Sequence, residues 1–267
     1  SEITSFKAQV SSMDSSLLSK LPALKAIDSF FMPIEKVSSG GAEHLKSAIK
    51  TSGLFLEAGI KELIAKGSSL GAGGSTAEVK KEMISMILKQ TGGDFKGALI
   101  KLQAALKESV TVEILKLGNV KPEELALSVD KIIKNIEFFQ IQSKVNDTLD
   151  LFVPFFWKSL RDGELVFSES YKGPSDTKSY SCTINLDLES AGRVSAIVLL
   201  MYDSVHLSFV AERKEFIALI NENSGELKAK FKELGLPLGS VRASREENID
   251  FDKCRAKPAE EGFNIKA

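Results

Sequence analysis

The chain has 267 residues and a mass of 29.1 kDa, enough for one large domain or two smaller ones with a buried core. Lys and Arg total 35 against 36 Asp and Glu, so no global field favours nucleic acid, a membrane surface or an acidic partner. Cys182 and Cys254 are the only cysteines. That excludes a disulfide-rich scaffold and a cysteine-only zinc site within one chain, leaves a single bridge open, and makes a reducing compartment the expectation.

No uninterrupted apolar run reaches the roughly 18 residues of a membrane helix, and the beginning lacks a signal-peptide core. A cytoplasmic protein without membrane insertion is expected. The first residue is Ser1 rather than Met, as in a processed chain or one cut from something longer. Residues 1–40 are Ser-rich and read as a weakly ordered arm. Leu17, Leu18, Leu21, Leu24, Ile27, Phe30 and Phe31 suggest one or two weak helices around Pro22 and Pro33. Residues 41–149 read as a helical region. Leu45, Ile49, Leu56, Ile60, Leu63 and Ile64 trace one amphipathic helix after Gly40-Gly41, with Gly53 and Gly59 as weak points. The Gly-rich run from Lys66 to Gly74 reads as a loop, and Ser75 with Glu78 as a capping box for the next helix.

Gly92-Gly93 stops that helix, and Asp94 is placed to cap another carrying Phe95, Leu99, Leu102, Leu106, Val110, Ile114 and Leu117. Gly118-Asn119 closes it, and Lys121-Pro122 opens a helix through Leu125, Val129, Ile132, Ile133, Ile136, Phe139 and Val145. Near Leu151 the pattern changes to Val153-Pro154-Phe155-Phe156-Trp157, then a strand at Gly163–Glu169 and a turn at Lys172–Asp176.

From Tyr180 the apolar period is 2. Tyr180, Cys182, Ile184, Leu186 and Leu188 share one side of a strand, with Ser181, Thr183, Asn185 and Asp187 on the other. After the Glu189–Gly192 turn come strands at Arg193–Tyr202 and Val205–Phe209, antiparallel because their links are too short for a crossover helix. Arg213 to Leu234 returns to helical spacing. The expected architecture is α+β: a helical N-terminal region, then an α+β domain over 150–244 with a small mixed or antiparallel sheet packed by one long helix. A polar tail follows over 245–267.

Chemistry-bearing patterns are sparse. His44 and His206 come with no recognisable metal-ligand spacing. Gly71–Thr76 lacks the lysine of a phosphate loop, and the pairs Glu123-Glu124 and Glu246-Glu247 read as solvated carboxylates. No catalytic, cofactor-binding or metal residue is assigned, and an enzyme is not expected. Basic and aromatic residues do not interleave, so no nucleic-acid partner is expected. Phe155, Phe156 and Trp157 are candidates for protein contact, with interdomain packing as the other reading.

Collected in order, the aromatic run, the strand Gly163–Phe167, the hairpin Ile184–Val194, Val205–Phe209, the helix end Leu227–Leu236 and Gly239–Arg242 resemble the carboxy-terminal domain of the flagellar hook-length control protein family. The likeness covers roughly residues 150–244. It is that of a divergent member, since the family's Pro- and Gln-rich measuring region has no counterpart in the helical residues 41–145. Leu186, Leu188, Gly192 and Val194 match the family's turn and core pattern, and Leu234, Gly235 and Val241 its closing unit. The resemblance implies a non-catalytic substrate-specificity switch. Such a protein touches the cytoplasmic domain of the flagellar type III export gate, and is itself cytoplasmic or exported through the flagellar apparatus. The alternative is an interaction or scaffold protein uninvolved in hook measurement.

Overall fold

In the computed structural model the described residues are 2–70, 76–152, 155–172 and 177–255. They divide into two compact units, Ser1–Gln140 with Pro154–Trp157, and Ile141–Val153 with Lys158–Ala267.

The first unit is helical: α1 (Glu2–Ser11), α2 (Ser15–Lys20), α3 (Pro22–Asp28), the short strand β1 (Met32–Pro33), α4 (Ile34–Lys50), α5 (Leu56–Leu70), α6 (Thr76–Gly92), α7 (Phe95–Ala105), α8 (Ser109–Leu117) and most of α9 (Pro122–Asn146). Its start is not a loose arm. Ile3, Phe6, Val10, Leu24, Ile27 and Phe31 are buried, and α3 packs on α7. Asp14 caps α2 by accepting from the Ser16 amide at 2.7 Å, so even these short helices have local start signals.

Two expected helices are each split. The stripe from Leu45 to Ile64 breaks between α4 and α5 at Gly53, whose φ is +102° and whose missing Cβ leaves room for Lys96. Conversely, α5 continues to Leu70 through half of the expected loop; residues 71–75, including Ser75 of the expected capping box, lie outside the described residues. The stripe from Phe95 to Leu117 breaks at residues 106–108, where no Gly or Pro stands. Across that break the buried positions slip by one: Thr111 and Leu115 are inside, while Val110 and Leu117 face solvent. A straight helix cannot make that phase change, and tertiary burial overrides local propensity. The closing signal is as expected, with the left-handed residue being Asn119 at φ +56°. Its neighbours complete a Schellman pair, Val120 N to Leu115 O and Asn119 N to Lys116 O.

The second unit holds a six-stranded sheet in the order β2-β4-β5-β6-β7-β8. Its strands are β2 (Leu149–Phe152), β4 (Leu160–Lys172), β5 (Thr177–Leu188), β6 (Gly192–Met201), β7 (Ser204–Ala211) and β8 (Leu238–Arg245). The intervening β3 (Phe155–Phe156) pairs in parallel with β1 in the first unit. Neighbours from β2 to β7 are antiparallel, as expected for β5 to β7. Tyr202 and Asp203, both at positive φ, make the two-residue turn between β6 and β7 that follows the twist of the strands. The 20-residue helix α10 (Lys214–Glu233) packs on β7 and β8 and lets them run parallel. Its half-buried stripe is Phe216, Ile217, Ile220, Ser224, Leu227 and Phe231. The architecture is thus α+β, a helical N-terminal region followed by a mixed sheet packed by one long helix.

The expected polar tail folds back in part. Glu246 N donates to Ala211 O, Ile249 is fully buried, and α11 (Phe251–Arg255) packs on β5. Residues 256–267 lie outside the described residues, as do 173–176 of the expected surface turn.

Candidate functional site

Cross-strand register assigns the residues of the second unit's sheet to two faces. One carries Leu151, Leu165, Phe167, Cys182, Ile184, Leu186, Val194, Val198, Leu207 and Phe209. The other mixes polar Asp150, Glu164, Ser181, Thr183, Asn185, Ser195 and His206 with apolar Phe152, Val166, Ile197 and Leu199. The alternation within β5 is as read from sequence, but burial is reversed. Ser179, Ser181, Thr183 and Asn185 are buried, whereas Cys182, Ile184, Leu186 and Leu188 are half-buried and Tyr180 is exposed.

Burying the polar residues of this second face requires hydrogen bonds among them. Asn185 Nδ2 donates to Glu164 Oε1 at 2.7 Å, and the hydroxyl pairs Ser168–Ser181 and Ser170–Ser179 stand 2.6 and 2.8 Å apart. Among the described residues the buried Asn185 Oδ1 has no hydrogen-bond partner, and the buried Ser195 hydroxyl has the Cys254 sulfur within reach. The segment after β8 lies here too. Arg193 Nη1 donates to Ile249 O at 2.9 Å, and its guanidinium stacks 5.3 Å from the Phe251 ring centre. Burial raises both thiols, that of Cys182 to about 12. Cys182 projects from the face opposite Ser195, so the sheet separates it from Cys254 and the two do not bridge.

The residues matched to the family's turn converge on one hairpin. Leu186 faces Val194, and Leu188 faces Gly192. Gly192 has φ +71°, and an added Cβ would lie 2.5 Å from Glu212 Oε2, the oxygen that accepts from the Arg193 amide. The closing unit is a helix end and an edge strand. Leu234 caps α10 and is 73% exposed, so it stands outside the core. Gly235, at φ +73°, closes the helix with Gly235 N to Lys232 O and Leu236 N to Phe231 O. Val241 pairs with Leu207.

The aromatic run is divided differently. Phe156 is only 6% exposed and meets Phe31 edge-on at 5.3 Å, with the Lys7 ammonium 4.7 Å above its ring. It is core of the helical unit. Trp157 is half-buried; Val153 and Pro154 lie outside the described residues, and of Phe155 the backbone pairing with Met32 is described.

His206 Nδ1 lies 2.9 Å from Ser240 Oγ, and His44 Nδ1 lies 2.9 Å from Lys36 O. Among the described residues no group of His, Cys, Asp and Glu is arranged to hold a metal ion, and no helix is long and apolar enough to cross a membrane. An open hollow of about 450 Å³ lies between Asp147–Leu149, Phe167–Glu169 and Tyr180-Ser181.

One surface escaped sequence reading altogether. β8 pairs with β7 on one side, and among the described residues no strand pairs with its other side. Four of its eight residues are half-buried and four exposed, whereas at the opposite edge three of the four residues of β2 are buried. The local signal was present in Val241 and Ala243 alternating with Ser240, Arg242 and Ser244, but a segment this short does not announce an edge.

Residues 170–250 match the family described as flagellar hook-length control protein FliK. The matched stretch runs from the end of β4 through β5, β6, β7, α10 and β8 into the segment that carries Ile249. No curated protein and no solved structure matches the chain.

Proposed function

We propose that this protein is a non-catalytic regulator that acts through protein contact. Its second unit switches export substrate specificity by touching the cytoplasmic domain of a flagellar type III export gate. The observation that carries this reading is the coincidence of the hook-length-control match at 170–250 with four strands and the long helix of one compact unit. A contiguous block of four strands and a helix, rather than a scattered motif, is what resembles the family. Gate binding would shift an equilibrium between two export states, by as much as the protein's affinity for those states differs.

The test uses the full chain. A piece beginning near residue 150 would strip Phe156 of Phe31, which shields it in the helical unit. The purified cytoplasmic domain of the export gate from the same organism is titrated against the full chain by calorimetry. Saturable binding is expected, and none at about 100 μM, where affinities weaker than about −5.5 kcal/mol become hard to detect, would overturn gate recognition.

A further inference from the structure

We propose that residues 248–255 are an autoinhibitory strap. They occupy, from within the chain, a surface of the second unit's sheet that an extended segment of a partner protein takes when the strap lifts. The segment that fits carries a β-branched apolar residue and, two positions later, an aromatic one, as Ile249 and Phe251 do. The partner's identity as the export gate rests on the function proposed above; the strap and the surface under it do not.

The first observation is how the strap is held. The chain turns at Asn248, whose φ is +63°, a left-handed conformation that asparagine tolerates better than most residues. Ile249 is then fully buried, Phe251 and Cys254 are half-buried, and Asn248, Asp250, Asp252 and Lys253 are exposed. Two residues of β6 grip it. Arg193 donates to Ile249 O at 2.9 Å and stacks on the Phe251 ring, and the Ser195 hydroxyl lies within reach of the Cys254 sulfur. The bonds from Asp252 N to Asp250 Oδ1 and from Cys254 N to Asp250 O lie within the strap, so they survive its lifting. A segment anchored by one fully buried side chain among exposed polar neighbours belongs to the part of a native structure that opens locally, ahead of the strands beneath it.

The second observation is what lies beneath. Asn185 of β5 pairs with Ser195 on the neighbouring strand, and α11 packs on β5. Both side chains are fully buried, yet among the described residues Asn185 Oδ1 accepts no hydrogen bond. To Ser195 the strap offers a thiol, a weak hydrogen-bonding group. The strap thus covers polar groups without saturating them, and a buried acceptor left unpaired is costly. A partner segment that keeps the branched and aromatic side chains, and brings an amide or hydroxyl donor to Asn185 and Ser195, replaces the strap with better-satisfied contacts. Asn185, Arg193 and Ser195 lie within the stretch matched to the hook-length control family, whereas α11 lies beyond its end at residue 250. The surface belongs to the block on which the proposed function rests, and α11 does not.

The experiment closes and opens the strap in the full chain. Ser195→Cys puts a second sulfur beside Cys254, and oxidised glutathione then forms a disulfide that pins the strap; Cys182, on the opposite face, stays apart. Phe251→Ala removes a ring from the strap and leaves the surface beneath intact. The probes are the gate's cytoplasmic domain and a blocked peptide with the sequence of residues 247–253. A surface open about one tenth of the time binds with about one tenth of its intrinsic affinity. Phe251→Ala is therefore expected to bind each probe up to about tenfold more tightly than wild type, and the oxidised Ser195→Cys chain about tenfold more weakly, until reductant restores it. Failure of Phe251→Ala to bind the peptide at about 1 mM would overturn the surface. Equal gate affinity in oxidised and reduced Ser195→Cys would overturn autoinhibition while sparing the proposed function. Where Ser195→Cys, at a buried site, fails to fold, Phe251→Ala decides alone, and affinities equal to those of wild type would overturn the strap. Peptide binding controlled by the disulfide, with no gate binding by any form, would sustain the strap and overturn the gate.

Discussion

Lys96 Nζ stands 3.4 Å from Glu137 Oε1, with the lysine side chain only 5% exposed. The same ammonium donates to Glu57, and to Gln140 Oε1 at 3.0 Å, so one cation ties α5, α7 and α9 together. Gln140 in turn donates to the Gly53 and Leu54 carbonyls, which secures the chain at the break between α4 and α5.

Removing that cation leaves two half-exposed carboxylates facing each other. Lys96→Ala is expected to cost about 2–3 kcal/mol, below the 3–5 of a fully buried pair because water reaches both acids. Burial pushes the Glu57 carboxyl up, but hydrogen bonds from Lys96 and Gln140 outweigh it and hold it below its ordinary value. Its contribution is therefore present above the ordinary carboxylate range and lost as pH falls through the lowered value. Urea melts of wild type and Lys96→Ala at pH 7 and pH 3 should differ more at pH 7.

Asp94 behaves oppositely. Burial raises its carboxyl to about 6, although the Gly97 amide, 3.1 Å away, and other backbone donors favour the ionised form. A raised folded value means that the native state holds the proton more tightly, so stability falls as pH rises from about 4 through about 6. Asp94→Asn keeps an acceptor for the cap and removes the titration. Its thermal midpoint should match or exceed that of wild type at pH 7 and lose the slope this group imposes between pH 4 and 6. Asp94→Ala should lose about 1 kcal/mol with the cap.

Phe156→Ala empties a site among Phe31 and the stem of Lys7. A loss of about 3–5 kcal/mol is expected, read as a lower denaturation midpoint. Any loss of partner binding in this variant would accompany loss of fold, so it is a packing probe rather than a contact probe.

At the β5–β6 turn, Gly192→Ala must adopt a left-handed backbone and meet Glu212. A destabilisation of about 1–2 kcal/mol is expected from the backbone alone. Combining it with Glu212→Ala should recover the steric part of the loss but not the backbone part, and a double-mutant cycle of unfolding free energies separates them.

Ile249→Ala should destabilise the second unit by about 2–4 kcal/mol, because Ile249 is fully buried and its carbonyl receives Arg193. Faster hydrogen exchange around Ser195 would accompany the loss. An unchanged melting curve would show that the segment after β8 is not packed.

Signals that act within four or five residues were legible from the chain. Asp94 caps α7, Asn119 and Gly235 close their helices, and Pro122 opens α9, since a cap is satisfied by its own neighbours whatever the rest of the fold does. The strands β5 and β7 were legible for the same reason, their period of 2 being imposed by the pleat, and β6 as a run apolar on both faces between two turns. Which face of β5 is buried was not legible. Its apolar side remains half-exposed, while Thr183 and Asn185 are covered, because burial depends on what lies over a face and what hydrogen bonds its neighbours supply. The break at 106–108, the return of Phe156 to the helical unit, the packing of Ile249 and the open edge of β8 share that origin. Each is set by partners distant in sequence, so the spacing of residues establishes helices, strands and their ends, and the choice of inside, outside and edge waits on the packed chain.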